Sequence, residues 1–524
     1  MRKIFLLWVV LLLGGISVMY SVTKSRAQVI EPPFQIIGPI QRFTLDTPND
    51  PLSGARMIVN GIDVIIPRNT IILMPGSFLT AGDIFAMAPA GATQRGTNGT
   101  CANPAGGRAS NLALEDCPGP VAAFEATLDG NLAGGSHIAG LVSITQNSLN
   151  AAGGFIQGLN TATGEITVGA RLAGPTLARV RINDSAGRYG RQNSTYKLGE
   201  AANPAFTEDG RFTVDTDNPT IHSSSGYPMC MPRSANDPEC PMKNRPTNAA
   251  GLVNTFVMGN QPYPNFPNAR LCPACDPSKQ APLMIGDHIT YSGIMMKDAI
   301  GYYVSAYAMD VNVGIYTPPG RGPAYLMIEG SIIGTGGKPI KNGANDVAQE
   351  VATRSIRIEG FTTDPSSVLD IYAVDVEPCT GDERLRFLAA ANPAEQPVFG
   401  RFRIDLRRVP AQVGTITREL MVYHHRKAVE ANVTAGAAPP DLPVVANGLM
   451  AGQYRFPVGE YIFPENRVFG DPLVPLNMQD LPFLAQGSGP LKTRNRGAAP
   501  LPAGPRVGTL APWPGAAITP KTCP

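Results

Sequence analysis

IGDHITYSGIMMKDAIGYYVSAYAMDVNVGIYTPPG, residues 285–320, decides how the chain is read. Side chains on a strand point alternately to its two faces. Ile289 and Tyr291 therefore share one side, and His288, Thr290 and Ser292 share the other. DAIG at 298–301 has turn composition, and YYVSAYAM returns as a second strand. In that second strand Val304, Ala306 and Ala308 form a small apolar face, opposite Tyr303, Ser305 and Tyr307.

Gly286-Asp287 entering such a hairpin, with Ile289 and Gly293 beyond, resembles the entry to a five-stranded OB-type barrel. GGSHIAGLVSITQNSLNAAGGFIQG, further upstream, has a similar rhythm and suggests a second, related barrel. Hairpin signals support it: Asn60-Gly61 joins ARMIV to IDVII, and residues 160–164 join GGFIQGLN to EITVG. In LARVRIN, Val180 and Ile182 alternate with Arg179 and Arg181, as in a half-buried strand. From 354 to 426 the alternation is cleanest. Phe402, Ile404 and Leu406 face in between Arg401, Arg403, Asp405 and Arg407, and Ile416, Leu420 and Val422 repeat the pattern, which suits a small sandwich.

Composition agrees with a strand-and-turn chain. Gly (56) and Pro (50) make up about a fifth of 524 residues, against a usual ~12%, and both weaken helix interiors. A hydrophobic content of 43% supplies cores, and the length asks for more than one of them. The net charge of +2 provides no field for nucleic acid or an anionic membrane.

The first residues read as an export signal. MRK is basic, IFLLWVVLLLGGISVMYSV is apolar, and Ser25 and Ala27 offer small residues to a signal peptidase. The apolar run approaches the ~20 residues that span a bilayer, so a retained anchor is the alternative. That segment is the chain's one expected membrane contact. Eight cysteines in an exported chain read as disulfides, although they allow on the order of 100 connectivities. Proximity suggests Cys101 with Cys117 and Cys230 with Cys240; Cys272 and Cys275 sit in LCPACDP, and Cys379 and Cys523 remain.

The expected fold is thus all-β: tandem small OB-like barrels, then a β-sandwich-like domain, with long Gly/Pro-rich loops and an extended Pro-rich C-terminal tail. The divisions expected are 1–27 as signal peptide or anchor, 28–200 as a barrel-like domain, and 201–280 as a Cys/Pro-rich excursion. Residues 281–350 read as an OB-like segment, 351–430 as the sandwich and 431–524 as the Pro-rich extension.

At IHSSSGYPMC, VNVGIYTPPG, IEGFTTDP and DIYAVDVEPCTGDER the chain resembles a family of exported proteins of bacteria and filamentous fungi. The resemblance runs from about Gly38 to Arg426. It implies export and a β-rich body, with no established activity and no functional residues to carry over. CPAC at 272–275 and the tail fall outside it.

Reactive chemistry finds little support. No G-x-S-x-G occurs, and Ser136 and His137 would diverge on a strand. Five histidines, with no H-E-x-x-H, suggest no metal site, and His424 and His425 would also diverge. Cys230, Cys240, Cys272 and Cys275 lack zinc-knuckle spacing. CPAC could act as a redox dithiol, but Pro277 and Pro282 break the helix that would lower a thiol pKa. Asp375 and Glu377 share a strand face that suits solvent, Ca²⁺ or a glycosidase, with Asp370 on the other.

Tyr291, Tyr302, Tyr303, Tyr307, Tyr316 and Tyr325 remain. Barrels of this type stack bases or sugars on such rings. No Lys or Arg lies between Asp298 and Gly320, so a glycan suits them better than nucleic acid, and strand filler suits them best. The leading expectation is a non-catalytic structural or binding protein of the cell surface, periplasm or extracellular matrix, needing no cofactor and facing an extracellular partner. A carbohydrate-binding or carbohydrate-active protein using Tyr291, Tyr303 and Tyr307 is the second reading, and a thiol–disulfide or metal protein at CPAC the third.

Overall fold

A computed structural model describes residues 33–94, 101, 108–146, 150–184, 186–190, 209–215, 217–335, 347–348, 355–393, 398–406, 416–424, 444–463, 465–466, 481–488, 507–512 and 522–523. The segment read as a signal peptide, and most of the tail, lie outside these residues.

The described chain is nearly all β, and its first two bodies are closed five-stranded barrels. The first takes Pro33–Leu45, Ala55–Val59, Ile62–Ile66, Glu125–Ala133 and Ser136–Thr145 as its five strands. The second takes Ala151–Asn160, Glu165–Gly169, Ala178–Ile182, His288–Lys297 and Tyr302–Val311. Around each barrel the order is one, two, three, five, four and back to one. Only strands three and five run parallel, at Val64 opposite His137 and Val180 opposite Val304. This is OB topology.

The two barrels agree in register as well as in order. Each first strand pairs with strand four over its first half and strand two over its second. Each carries one extra residue just after the change of partner: Gln41 follows Ile40, and Gln157 follows Ile156. Such a bulge sharpens the local twist, which a small barrel needs in order to close. A second bulge lies in strand five. Gly130 pairs with Ala139 while Asp129 pairs with Leu141, skipping Gly140. Gly293 pairs with Ala306 while Ser292 pairs with Ala308, skipping Tyr307.

That bulge corrects the alternation expected in YYVSAYAM. Val304 and Ala306 face the core as expected, but beyond Tyr307 the parity shifts, and Met309 and Val311 take the inner positions. Ala308 moves out with Tyr307 and packs on the core of the first barrel. The strand is therefore buried on both faces. Ile294 and Tyr307 join Phe43, Phe85, Phe124 and Phe212 in one apolar cluster. The Tyr307 hydroxyl lies 3.2 Å from Thr145 Oγ1, and Gln146 Oε1 accepts the Met295 N–H at 2.9 Å. Burying a large side chain contributes roughly 1.5–3 kcal/mol, so Tyr307 and Ile294 fasten one barrel to the other.

Residues 183–287 lie between strands three and four of the second barrel, so the stretch read as 28–200 supplies strands to both barrels. Polar contacts pin this excursion at both ends. Asn183 Nδ2 donates to the carbonyls of Asp209 (2.9 Å) and Phe212 (3.1 Å). Arg245 and Asp287 form a fully buried double hydrogen bond, 2.7 Å on each arm. All eight cysteines are paired: Cys101–Cys117, Cys230–Cys240, Cys272–Cys275 and Cys379–Cys523.

The third body is a sandwich of two four-stranded sheets. One has the order Arg401–Leu406, Ile356–Thr362, Leu326–Gly334, Glu460–Ile462; the other Glu383–Ala391, Leu369–Val376, Glu419–His424, Gln453–Pro457. Ile356, Ile358, Phe402 and Ile404 meet Leu369, Ile371, Leu420 and Val422 between them. The outward Arg401 and Arg403 bind Glu359, as the alternation requires.

Candidate functional site

The tyrosines singled out from the sequence are mostly interior. Tyr291 (4% exposed) lies in the core of the second barrel, and Tyr307 (6%) lies between the barrels. Tyr303 (6%) is covered by arginine: the Arg181 guanidinium sits 4.2 Å from its ring centroid and that of Arg179 at 5.8 Å. The structure thus scatters the three rings, and none turns an open face outward for a sugar to stack on. Tyr325 is buried against Tyr227, and Tyr316 packs among Tyr263, Phe266 and Phe399. Tyr302 is the open ring of the set.

On OB barrels, strands two and three carry the usual binding surface. In the second barrel an ion lattice occupies it. Glu165 and Asp298 each bind both Arg179 and Arg181, at N–O distances from 2.6 to 3.0 Å. Hydrogen bonds from Arg179 hold both carboxyls below the usual carboxylate range. Charges satisfied in this way leave that surface little to offer a phosphate.

The other sequence candidates are also engaged. Asp375 receives two bonds from Arg386, and Glu377 accepts the Cys379 and Thr380 N–H groups in a turn. His424 is buried with Nε2 3.1 Å from Thr362 Oγ1, while His425 lies outside the described residues. His288 and His137 each meet a phenylalanine edge-on, Phe155 and Phe34 respectively. Cys272 and Cys275 are bonded to each other and buried. The sequence carries N-x-S/T glycosylation sequons at Asn98, Asn183, Asn193 and Asn432; Asn183 has its amide fully buried and hydrogen-bonded, so the folded chain offers no glycosyl acceptor there. Asn98, Asn193 and Asn432 lie outside the described residues.

One groove does gather polar groups. It lies where the first barrel meets the sandwich, with a volume of about 290 Å³. One wall is the outer face of the barrel: Gln35 from strand one, Thr127 and Asp129 from strand four, Leu141 and Ser143 from strand five. Ile71, Leu73 and Phe78 continue it along the short hairpin Ile72–Met74 and Ser77–Leu79. The facing wall is Arg418 together with Pro457–Tyr461 of the sandwich.

Three charged groups line this groove, and among the described residues none has an ion-pair partner: Asp129, Glu460 and Arg418. Burial pushes the Asp129 carboxyl up to about 6. Gln35 Nε2, donating to Oδ1 at 3.0 Å, opposes that rise, and the charge of Glu460 adds to it. Burial also pulls Arg418 down to about 10, which leaves it cationic at neutral pH. Its guanidinium lies 4.4 Å from the Phe483 ring centroid and makes one hydrogen bond, 3.3 Å to the Gly508 carbonyl; Nε has none. Tyr461 donates to the Thr417 carbonyl at 2.9 Å, and burial raises its pKa, so the phenol stays neutral.

No family model, curated protein or solved structure matches the chain. The reading of the site therefore rests on its geometry. A charge without a counter-ion is costly where it is partly buried, as at Asp129 and Arg418, and a bound ligand that supplies the missing partners lowers that cost; Glu460 is exposed.

Sequence reasoning missed this site, although Arg418 left a signal. It shares the strand parity of Ile416, Leu420 and Val422, so an arginine stands on the apolar face. Asp129 alternates with Thr127 as any solvated residue would, and Glu460 sits in a stretch read as Pro-rich extension.

Proposed function

We propose that the protein is an exported, disulfide-braced binding protein whose ligand site is the groove between the first barrel and the sandwich. The observation that carries this reading is the convergence of Asp129, Glu460 and Arg418, all without ion-pair partners among the described residues, in one cavity. Pockets that join apolar walls to a few polar groups with shifted pKa values are where small ligands bind. Export is supported by four disulfides, which fit an oxidising compartment, and by the signal-like first residues. The barrels and sandwich act as the rigid frame that holds the two walls apart.

A thermal-shift screen of short peptides, amino sugars and neutral oligosaccharides, run on wild type and on Glu460→Gln, tests the reading. A ligand that raises the wild-type Tm and loses that effect in the variant supports it. Ligands that stabilise both proteins equally would place binding elsewhere.

A further inference from the structure

The charges in the groove are separated by sign. Asp129 on barrel strand four, beside Gln35 on strand one, faces Glu460 of the sandwich, so two carboxylates make one end of the groove negative. Arg418 lies at the other end, against Ile71, Gly508 and Phe483. The sheet order between these ends is strand four, strand five, then Ile72–Met74. Neighbouring strands lie about 4.8 Å apart, so two spacings set the ends roughly 10 Å apart. The apolar side chains Leu141, Leu73 and Phe78 line the groove with them. Such a site complements a molecule with an ammonium at one end, a carboxylate at the other and a modest apolar middle. An extended chain advances about 3.3–3.6 Å per residue, so three residues separate their two termini by roughly that span. A volume of about 290 Å³ is near the lower end of ordinary ligand pockets, which suits a short peptide of small residues.

We propose that the groove takes a short peptide with both termini free, its ammonium between Asp129 and Glu460 and its carboxylate on Arg418. This rests on the binding-protein reading and names its ligand class. Thr127 and Ser143 stand along the groove to hydrogen-bond the peptide backbone. Free termini are required because each end of the groove leaves charge that only the opposite charge can satisfy.

Calorimetric titration of the full chain with tri-L-alanine, its N-acetyl form, its C-terminal amide and a neutral trisaccharide tests this. The unblocked peptide is expected to bind at least tenfold more tightly than either blocked form. Glu460→Gln should weaken discrimination against the N-acetyl form, Asp129 remaining, and keep discrimination against the amide. Arg418→Gln should do the reverse, and because Arg418 is partly interior, the exposed Glu460 variant carries the test if that protein fails to fold. Equal binding of free and blocked peptides overturns the proposal. Trisaccharide binding that Glu460→Gln weakens would also overturn it, while leaving the groove a binding site. Binding of none of the four would overturn the peptide proposal, and the wider thermal-shift screen would then decide whether the groove binds a ligand of another class.

Discussion

Gly130 and Gly293 occupy the same place in two different barrels, each in strand four opposite a residue that strand five skips over. A Cβ on Gly130 would lie 2.0 Å from the Ile138 carbonyl oxygen, and one on Gly293 2.3 Å from that of Ser305. Both obstacles are backbone and cannot swing aside. Alanine at either site should cost about 3 kcal/mol, as overpacking does, read as a lower urea midpoint. Alanine at the exposed Gly174, where a Cβ meets nothing, should leave that midpoint nearly unchanged.

Tyr307 separates a structural from a ligand-facing role. Its ring is packed between the barrels and its hydroxyl meets Thr145. Tyr307→Phe should cost about 0.5–1.5 kcal/mol for loss of the hydrogen bond to Thr145. Tyr307→Ala should cost about 3–5 kcal/mol, the range for removing a buried aromatic ring. Denaturant unfolding of the two variants checks both values; a ring serving only a surface ligand would leave stability untouched in each.

The disulfides should differ in weight. Cys379–Cys523 closes a sequence separation of 144 residues, and Cys272–Cys275 one of 3. Chain-entropy scaling assigns the first about 5 kcal/mol and the second about 2 kcal/mol. Replacing each pair by alanines and comparing unfolding free energies should give a gap of about 3 kcal/mol between the two double variants.

Asp129 makes stability depend on pH in a defined direction. Its folded pKa of about 6 lies above its ordinary 3.8, so between those values the folded chain binds the proton more tightly than the unfolded chain. Stability from this group therefore falls as pH rises through about 4 to 6, and the penalty is complete above that window. Asp129→Asn keeps an acceptor for Gln35 and removes the charge facing Glu460. The variant should melt higher than wild type at pH 7.5, and the difference should shrink toward zero near pH 4.

Much of the architecture was legible because alternation is a local property. Phe402, Ile404, Leu420 and Val422 show their burial in the residues beside them, and the Asn60-Gly61 hairpin shows its turn. The break at Tyr307 was not legible, since nothing in YYVSAYAM distinguishes a bulge from continued pleating. That single skipped residue moved Ala308 from the expected face and turned a surface tyrosine into a fastening. The groove was hidden for a different reason. Its walls come from residues 35, 129, 418 and 460, which only the docking of sandwich on barrel brings together, and apart from Arg418 on its apolar face each alone reads as an ordinary surface charge or strand residue.

The placement of residues 183–287 inside the second barrel sets an order of assembly. A chain released from its N-terminus can close the first barrel once residue 145 is free, because its five strands lie upstream of that point. The second has three strands in hand by residue 182 and must wait for Tyr302–Val311 to complete the ring. During that wait, Val180 and Ile182 present an open sheet edge, the kind that pairs with strangers. The finished first barrel is then a ready mould: when Ile294 and Tyr307 arrive they dock on a surface already built, which guides the late strands home.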